Sequence, residues 1–528
     1  MYQCPNCSGN MKFYIPSQML RCNYCETEMD PYAFRKEKDA EESGYFDVTI
    51  FTCPQCGGEL LSTENEATAF CSFCGASNIL TSRLSTEKRP VYILPFQKTK
   101  EDCKKAYSKL MKGAIYAPKE LKDATHIDGF RGIYMPYWFY NIEQKGPATF
   151  KGSKTYRRGD YMITDHYDLS CDVDGEYHGI PYDGSSSFAD SLSEAIAPYD
   201  LRKVKMFTPS FLSGFYADTA DVEKELYRTD ALEIATEKTY AQITKQPAFR
   251  GMSLTTANDT MEKAYSINSC CSSIESAMLP VWFLSYRKGD RVAYATVNGQ
   301  TGKVAADLPV DPKKYLLGSI LTAIPIFILL NMFFTVIPSV ALIVSMVLAV
   351  ATLILYAMEL SQIKRRDTGE DDKGLMSKKQ SNGSQTTGKK KTKSKKKSAI
   401  DIFVLIIFIS FFFNMFLPFV IAMITMFAKY FWIVAIAGGI ITSIVIGSTL
   451  QQMQLSSKRY GFLGAIASLV ISTLVLVVNP AADFIYYAGV VVSIIAIFFS
   501  IYDLIYYYNI LATRKLPQFN RTGGDDRA

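Results

Sequence analysis

Eight cysteines form two groups with the same C-x2-C-x14-C-x2-C spacing, and the second group repeats the first 49 residues further along the chain. They are Cys4, Cys7, Cys22, Cys25, Cys53, Cys56, Cys71 and Cys74. Each C-x2-C turn presents two thiolates, and two such turns together supply the four sulfur ligands of a tetrahedral site. The pattern predicts two structural Zn2+ sites on small β hairpins, with no open position for catalysis. An iron site of the rubredoxin type has the same ligands, and the sequence leaves that alternative open.

The residue that follows each cysteine turn distinguishes the two predicted sites. Gly57 and Gly75 follow the turns of the second group, at a position that often requires a positive φ angle. The first group has Ser8 and Glu26 there. We therefore expect the first site to be the more strained or the looser of the two, with its four ligands intact.

The charge around the cysteines bears on what these modules bind. Residues 1–30 contain two basic side chains against three acidic ones, and residues 47–83 contain one against four. Nucleic-acid affinity comes mostly from lysine and arginine contacts to phosphate. The acidic balance therefore disfavours nucleic acid and favours protein docking. The hairpin aromatics available for docking, some of which must cover the metal sites, are Tyr14, Phe51, Phe70 and Phe73.

A long apolar region begins after residue 315. Leu316–Met358 contains 43 residues without a charge, and at about 1.5 Å per residue a helix of this length crosses a ~30 Å hydrocarbon core twice. Ile337–Ser339 offers a natural reversal between the two crossings. The further apolar segments are Ile402–Phe427, Tyr430–Leu450, Gly461–Val478 and Ile485–Tyr507. The simplest interpretation is an all-α polytopic membrane domain with six spans.

Basic residues predict how these spans are oriented. Thirteen lysines and arginines lie between Lys364 and Lys397, against four acidic residues, and basic loops stay on the cytosolic side. No apolar segment opens the chain, so we expect no signal peptide, a plasma-membrane location and cytosolic N- and C-termini. The composition of the basic segment predicts disorder. The lysines of Lys389–Lys397 are expected to contact anionic lipid headgroups at about 1 kcal/mol each.

The region between the cysteine groups and the apolar segments has the pattern of an α+β domain with mostly antiparallel strands. Lys100–Lys112, Ser191–Ala197 and Asp221–Thr244 are predicted helices. The last of these has Asp218 or Thr219 as its predicted N-cap.

Two segments of this domain resemble each other. Each is a proline followed by aromatic and β-branched residues, in Met135–Tyr140 (MPYWFY) and Leu279–Tyr286 (LPVWFLSY). Strands that begin at a proline fit this pattern, and the similarity predicts a duplicated β unit. Val297–Gly302 contains Asn-Gly and predicts a hairpin turn.

Polar and apolar residues alternate over Ile163–His178. The polar positions that share one face of a strand are His166, Asp168, Asp172, Asp174, Glu176 and His178. A metal or acid–base site is one interpretation, and the solvent-exposed face of an antiparallel hairpin that turns at Asp174-Gly175 is the favoured one. The chain has three histidines and no Walker loop, G-x-S-x-G or H-E-x-x-H motif, so an enzyme is not expected.

The paired cysteine groups, the two proline–aromatic segments, Phe211–Asp218 (FLSGFYAD) and the Val297–Val304 hairpin together resemble a family of bacterial membrane proteins labelled TFIIB-type zinc-ribbon proteins, over roughly residues 1–315. The resemblance implies that all eight cysteines are zinc ligands of a double zinc ribbon. Some relatives are encoded beside SPFH or phage-shock-type proteins, which implies a part in membrane-stress scaffolding and a partner of that type.

The expected organisation is multidomain, with two small β zinc ribbons followed by the α+β domain and the membrane helices. The predicted divisions are zinc ribbon 1 (1–45), zinc ribbon 2 (46–83), the cytosolic α+β domain (84–312), transmembrane helices 1–2 (313–363), the basic loop (364–399), transmembrane helices 3–6 (400–510) and a cytosolic tail (511–528).

The favoured function is an integral membrane scaffold whose cytosolic ribbons and α+β domain recruit a cytosolic or peripheral membrane protein. A membrane-tethered nucleic-acid binder is the first alternative, because ribbons often bind nucleic acid and Lys389–Lys397 is basic. A transporter or channel with a regulatory zinc-ribbon head is the second. The lack of charged residues inside the predicted spans weighs against transport.

Overall fold

The structure is a computed structural model of the chain, and it describes residues 2–34, 44–62, 71–76, 81–247, 253–255, 267–333, 337–368, 373, 436–444, 446 and 460–517. The strands of the described residues are β1 (Met11–Tyr14), β2 (Met19–Cys22), β3 (Glu28–Met29), β4 (Tyr45–Thr52), β5 (Glu59–Ser62), β6 (Thr81–Lys88), β7 (Tyr92–Ile93), β8 (Arg131–Arg158), β9 (Tyr161–Asp183), β10 (Lys205–Met206), β11 (Tyr216–Ala217), β12 (Ser253–Thr255), β13 (Ser269–Lys288), β14 (Arg291–Asn298), β15 (Val304–Ala306) and β16 (Arg514–Lys515). The α-helices are α1 (Lys100–Gly113), α2 (Ala124–Ile127), α3 (Asp190–Ile196), α4 (Arg228–Ile243), α5 (Pro312–Phe333), α6 (Pro338–Thr368), α7 (Tyr460–Val478) and α8 (Asp483–Leu511). Residues 436–444 are also helical.

Three predicted features lie outside the described residues. They are the basic run Lys389–Lys397, the apolar segment Ile402–Phe427 and most of Tyr430–Leu450.

The first cysteine group lies on a small three-stranded antiparallel sheet, β1–β2–β3. We call residues 2–34 the first ribbon. Met11 and Leu20 are fully buried in it, and Phe13 is nearly so. Phe13 also packs on Phe211 of the sheet domain, with ring centroids 5.4 Å apart.

The second cysteine group is built into a large mixed sheet. β4 pairs with β5 and with the whole of β6, and β5 pairs with β11. In the described residues this sheet has 13 strands, in the order β10-β7-β13-β8-β11-β5-β4-β6 along its main path. Its pairings are antiparallel except for β11 on β8 and β7 on β13, which are parallel. Residues 46–83 therefore contribute strands to the sheet domain.

β8 and β13 lie side by side and relate two similar units by an approximate two-fold axis. They are antiparallel, and the Met135–Leu279 pair lies on this axis. Pro136 then corresponds to Pro280 on the other strand. The same main-chain contacts surround both strands. Before the prolines, Asp218 N–H donates to Tyr134 O and Leu94 N–H donates to Met278 O, both at 2.9 Å. At the prolines, Gly184 N–H donates to Pro136 O at 2.8 Å and Gly299 N–H donates to Pro280 O at 2.9 Å. After the prolines, the indole of Trp138 donates to Val222 O at 3.0 Å and that of Trp282 donates to Lys98 O at 2.9 Å. The predicted duplicated β unit is thus present, with β7 of one unit paired to β13 of the other and β11 to β8.

The two prolines lie inside the strands, so the prediction that each strand begins at its proline is wrong. On the side of β8 away from β13, β11 pairs as far as Tyr134 and β9 pairs from Tyr137. Pro136 faces the gap between these two neighbours. No carbonyl of the described strands lies there to accept a hydrogen bond, so the N–H group that proline lacks is not needed. Pro280 faces the equivalent gap between β7 and β14.

Two further local predictions are corrected by the sheet. β9 runs through Asp174-Gly175 without a turn and pairs with β8 as far as Arg158 and Tyr161, so the hairpin turns at Gly159-Asp160. The helix expected over Asp221–Thr244 begins at Arg228. At the predicted start, the Asp221 carboxylate instead binds a loop: it accepts hydrogen bonds from the backbone N–H and the hydroxyl of Ser186, both at 2.7 Å.

The other predicted helices of this domain are confirmed. α1 begins with a capping box in which the Thr99 hydroxyl accepts from the Asp102 backbone N–H, which stabilises the first turn. Cys103, Tyr107 and Met111 form its buried face. α3 lies within one residue of the predicted Ser191–Ala197.

The C-terminal helices expose many large apolar side chains. Pro338–Ile363 and Asp483–Leu511 are long and apolar enough to cross a membrane, and Phe462–Val478 is apolar but shorter. α6, α7 and α8 pack together: Tyr356 contacts Tyr507 at 5.6 Å, and the Ser468 and Ser493 hydroxyls are 2.8 Å apart.

Both ends of the helical region lie against the sheet domain. At the start of α5, the backbone N–H of Asp311 donates to Tyr116 O at 2.8 Å. At the end of α8, Arg291 donates to Ile510 O and to Thr513, and β16 pairs with β14. The two ends also contact each other, because the Asn509 side chain accepts from the Val310 backbone N–H at 2.6 Å and donates to Val310 O at 2.8 Å.

Candidate metal centres

The four cysteines of the first ribbon come together at one end of its sheet. Their sulfur atoms all lie within 4.8 Å of one another. The Sγ distances are 3.5 Å for Cys4–Cys25, 3.4 Å for Cys7–Cys22 and 3.3 Å for Cys7–Cys25. Cys4 and Cys22 are buried, whereas Cys7 and Cys25 are exposed. One side of this site therefore faces solvent.

Each cysteine turn is closed by the same backbone hydrogen bonds. In the first ribbon the Ser8 N–H donates to Cys4 O at 2.8 Å, and in the second group the Gly57 N–H donates to Cys53 O at 2.8 Å. The residue after each turn has a positive φ angle, 59° at Ser8 and 58° at Glu26 against 69° at Gly57 and 71° at Gly75. The first site therefore holds two non-glycine residues in the left-handed region, which costs more than the same geometry at glycine.

The four cysteines of the second group lie inside the sheet domain. Cys53, Cys56, Cys71 and Cys74 are all buried, and their sulfur atoms also lie within 4.8 Å of one another. The Sγ distances are 3.7 Å for Cys53–Cys74 and 3.8 Å for Cys56–Cys71.

The second site is sealed by β13 and β14. The Tyr294 hydroxyl donates to Phe73 O at 2.6 Å, and Phe73 packs edge-on against Phe283 with centroids 6.3 Å apart. Phe51 and Phe73, two of the predicted docking aromatics, are fully buried in this core. They cover the site and are not free for a partner, while Phe70 lies outside the described residues.

Both groups fit a tetrahedral metal ion. With metal–sulfur bonds of about 2.3 Å, the edges of a regular sulfur tetrahedron are about 3.8 Å. The Cys53–Cys74 and Cys56–Cys71 distances of the second group match this length. The distances given for the first group are a few tenths of an ångström shorter. A site that holds four sulfur ligands and no other donor suits Zn2+.

The ionisation of the thiols also fits a cation. In the first group a hydrogen bond with the Thr27 hydroxyl lowers the pKa of the Cys25 thiol to about 6, whereas hydrogen bonds with Cys25 and Cys22 raise the pKa of Cys7. In the second group the hydrogen bond between Cys53 and Cys56 lowers the pKa of Cys53 and raises that of Cys56. Four buried thiolates repel one another, and a divalent ion is what allows all four to be deprotonated.

The polar face of β9 holds no comparable site. His166, Asp168, Asp172, Asp174, Glu176 and His178 are all exposed, as expected for the solvent-exposed face of a hairpin. Among the described residues, the groups of histidine, cysteine and carboxylate side chains close enough to share a metal ion are the two cysteine groups.

Sequence reasoning missed how the two sites are held. The first ribbon is seated on a turn of the sheet domain, where the Phe13 N–H donates to Ser213 O at 3.0 Å and the Ser213 hydroxyl donates to Met11 O at 2.7 Å. The second site is closed by residues more than two hundred positions away in the chain. In the sequence, the contact of the first ribbon was indicated only by the FLSGFYAD segment, which contains Ser213.

Comparison with known proteins gives one informative relative. No family model matches the chain, and no solved structure matches it. The chain is 30% identical over 318 residues to the uncharacterized protein YdjG of Bacillus subtilis (strain 168), a match that covers 59% of this chain and 91% of YdjG. At this identity and coverage, the chain belongs to the same family as YdjG.

Proposed function

We propose that the protein is an integral membrane scaffold in which two structural zinc sites stabilise a cytosolic sheet domain that recruits a protein partner. The observation that carries this proposal is the attachment of the sheet domain, which contains or seats both cysteine groups, to both ends of an apolar helical region. A domain held at two points cannot swing freely from the membrane. It is suited to hold a partner at a fixed distance from the bilayer.

The arrangement of the helices supports insertion as a multi-pass bundle. α5 starts at the sheet domain and α8 ends there, so an even number of crossings joins them, which six spans satisfy. The exposed Leu, Ile, Val and Phe side chains of these helices are stable against lipid but not against water. The C-terminal end of α6 packs with the end of α8, since Leu360 and Ile363 share a cluster with Leu511, so it lies at the same end as the sheet domain. The sequence from Lys364 onwards is basic, which favours a cytosolic position for that end.

A long hairpin offers the surface for recruitment. Beyond the end of the β8–β13 pairing at Gln144 and Ser269, β8 and β9 continue together as a β arm, which we define as residues 145–174. At the tip, Tyr161 is 77% exposed and Met162 is 68% exposed. Exposed tyrosine and methionine side chains at the tip of a hairpin are typical of protein contacts.

The resemblance to TFIIB-type zinc-ribbon proteins supports a membrane-associated partner. The TFIIB-type zinc-ribbon resemblance implies a partner of the SPFH or phage-shock type, and we keep that as the proposed class. The first ribbon has more acidic than basic residues, which favours a protein over a nucleic acid as its partner. Its exposed Tyr14 ring, with the Arg21 guanidinium 4.7 Å from the ring centroid, is available for such a contact.

Aspartate at both tip positions of the β arm, Tyr161→Asp with Met162→Asp, is expected to abolish partner capture. The substitutions remove the apolar area that the two side chains would bury against the partner. Burying two aspartates in that contact would also cost several kcal/mol in desolvation. The measurement is photo-crosslinking and co-purification from membranes that contain the full-length protein. Leu84→Asp is the matched control because Leu84 is 84% exposed on β6. Capture that survives the tip substitutions, or tight binding of DNA or RNA at physiological salt, overturns the scaffold proposal.

Labelling with a membrane-impermeant maleimide tests the orientation. All native cysteines lie at or before Cys271, so intact cells that produce the wild-type protein should remain unlabelled. Ala481→Cys, placed in the exposed turn between α7 and α8, should become labelled from outside. Labelling of the wild-type protein in intact cells contradicts the cytosolic position of the sheet domain.

A further inference from the structure

A cavity of about 620 Å3 lies in the sheet domain between β9, α3 and α4. Tyrosine rings form much of its wall. Tyr182 and Tyr227 stack with centroids 4.8 Å apart and planes 9° from parallel, and Tyr137 meets Tyr199 edge-on at 6.1 Å. This wall is apolar enough to hold an aliphatic chain and electron-rich enough to favour a cation.

Four carboxylates line the same cavity, together with Lys238 and Lys373, and they are Asp183, Asp190, Glu194 and Asp230. The two that Lys373 contacts are Asp190 and Asp230. Asp190 begins α3 and accepts a hydrogen bond from the Tyr227 hydroxyl at 2.9 Å. Burial raises the pKa of the Asp190 carboxyl above its usual range. Asp230 lies in the first turn of α4. A cavity that combines tyrosine rings with two partly buried carboxylates has the chemistry of a cation site.

A lysine from a distant part of the chain already contacts both carboxylates. The Lys373 backbone N–H donates to Asp190 Oδ2 at 3.0 Å, and its ammonium forms an ion pair with Asp230 Oδ2. The Lys373 side chain is only 35% exposed, which is low for a lysine on a surface. Thus one residue supplies a peptide donor to the first acid and a charge to the second.

We propose that this cavity is a binding site for a lysine side chain carried on a peptide, and that Lys373 is its intramolecular occupant. The contacts select the class of ligand. The Lys373 ammonium contacts one carboxylate oxygen of Asp230. A single contact of this kind suits the compact charge of lysine better than the guanidinium of arginine, which prefers bidentate pairing with a carboxylate. The contact of the ligand backbone with Asp190 requires a peptide rather than a free amine.

The cavity is larger than its occupant requires. Its volume remains beside Lys373, which is itself part of the wall, and it lies in the range of about 300–1,000 Å3 found for sites that enclose small ligands. Residues on either side of a lysine can therefore enter with it. A lysine-bearing segment of a partner protein competes with Lys373 for the same two carboxylates. This inference stands independently of the scaffold proposal.

The test measures binding of a fluorescein-labelled peptide with the sequence of residues 364–380 to the full-length protein in detergent micelles. Lys373→Ala in the protein vacates the site, and we expect it to bind the peptide about tenfold or more tightly than the wild-type protein does. Asp230→Asn added to that variant should lower the affinity about tenfold or more, because a charge-assisted hydrogen bond is lost.

Two controls distinguish specific binding in the cavity from nonspecific electrostatic attraction between the peptide and the protein. The same peptide with Lys373→Gln should lose binding, although its other lysines remain. Asp168→Asn, which removes an exposed carboxylate from the β arm, should leave binding unchanged. The proposal is overturned if the glutamine peptide binds as well as the original, if Asp168→Asn weakens binding as much as Asp230→Asn, or if the vacated protein binds no peptide.

Discussion

Replacement of Cys53 by serine is expected to release one of two zinc ions and to destabilise the whole sheet domain, whereas Cys7→Ser releases one zinc with damage confined to the first ribbon. Cys53 is fully buried in a core that also contains Phe283 and Tyr294, while Cys7 is exposed. Structural zinc contributes about 10–16 kcal/mol in zinc-finger peptides. That is comparable with the total stability of a domain, about 5–15 kcal/mol.

Elemental analysis and hydrogen exchange on the full-length protein measure these effects. We expect two zinc ions per chain in the wild-type protein and one in each variant. Loss of exchange protection should reach β13 and β14 in Cys53→Ser only. Cys103→Ser is the control for a buried free cysteine and should retain both ions. Two zinc ions in Cys53→Ser, or equal and local damage in both ligand variants, contradicts the proposed role of the second site.

Gly299→Ala is expected to destabilise the sheet domain by at least about 1–3 kcal/mol, because overpacking forces buried groups to move. A Cβ at this position lies 2.6 Å from a ring atom of Phe96 and 2.7 Å from Pro280 Cβ. Neither neighbour can yield easily. The Phe96 ring stacks on Phe215 at 4.5 Å and contacts Trp282 at 5.1 Å.

Thermal unfolding of the purified protein checks this prediction. Gly175→Ala is the matched control, since a Cβ at Gly175 meets nothing within 4 Å and the residue lies in the middle of β9. Its melting temperature should equal or slightly exceed that of the wild-type protein. Equal melting temperatures for Gly299→Ala and Gly175→Ala are incompatible with the tight packing of Phe96.

The features that could be predicted from sequence depend on residues close together in the chain. The cysteine turns depend on C-x2-C and the residue that follows, and α1 on its Thr99 capping box. The alternation along β9 identified its solvent-exposed face because side chains of a strand alternate between two faces. These local rules hold whatever the rest of the fold does.

The features that could not be predicted depend on partners far away in the chain. β6 reads as a polar stretch, yet it completes the sheet beside the second cysteine group. The start of α4 is lost because Asp221 binds the loop at Ser186. The attachment of α8 requires Arg291, more than two hundred residues earlier. Such contacts depend on loop closure and packing, which no local pattern reports.

The exchanged pairing of β7 and β11 has a consequence for how this domain can evolve. Each unit completes the sheet of the other, as in a strand-swapped homodimer whose two copies have been fused into one chain. Neither copy retains a complete edge of its own, so deletion of one exposes the bare backbone of the remaining one to aggregation. We therefore expect both halves to accept substitutions where the shared backbone bonds and the paired tryptophans are undisturbed, and loss of either half to leave the other without a complete sheet.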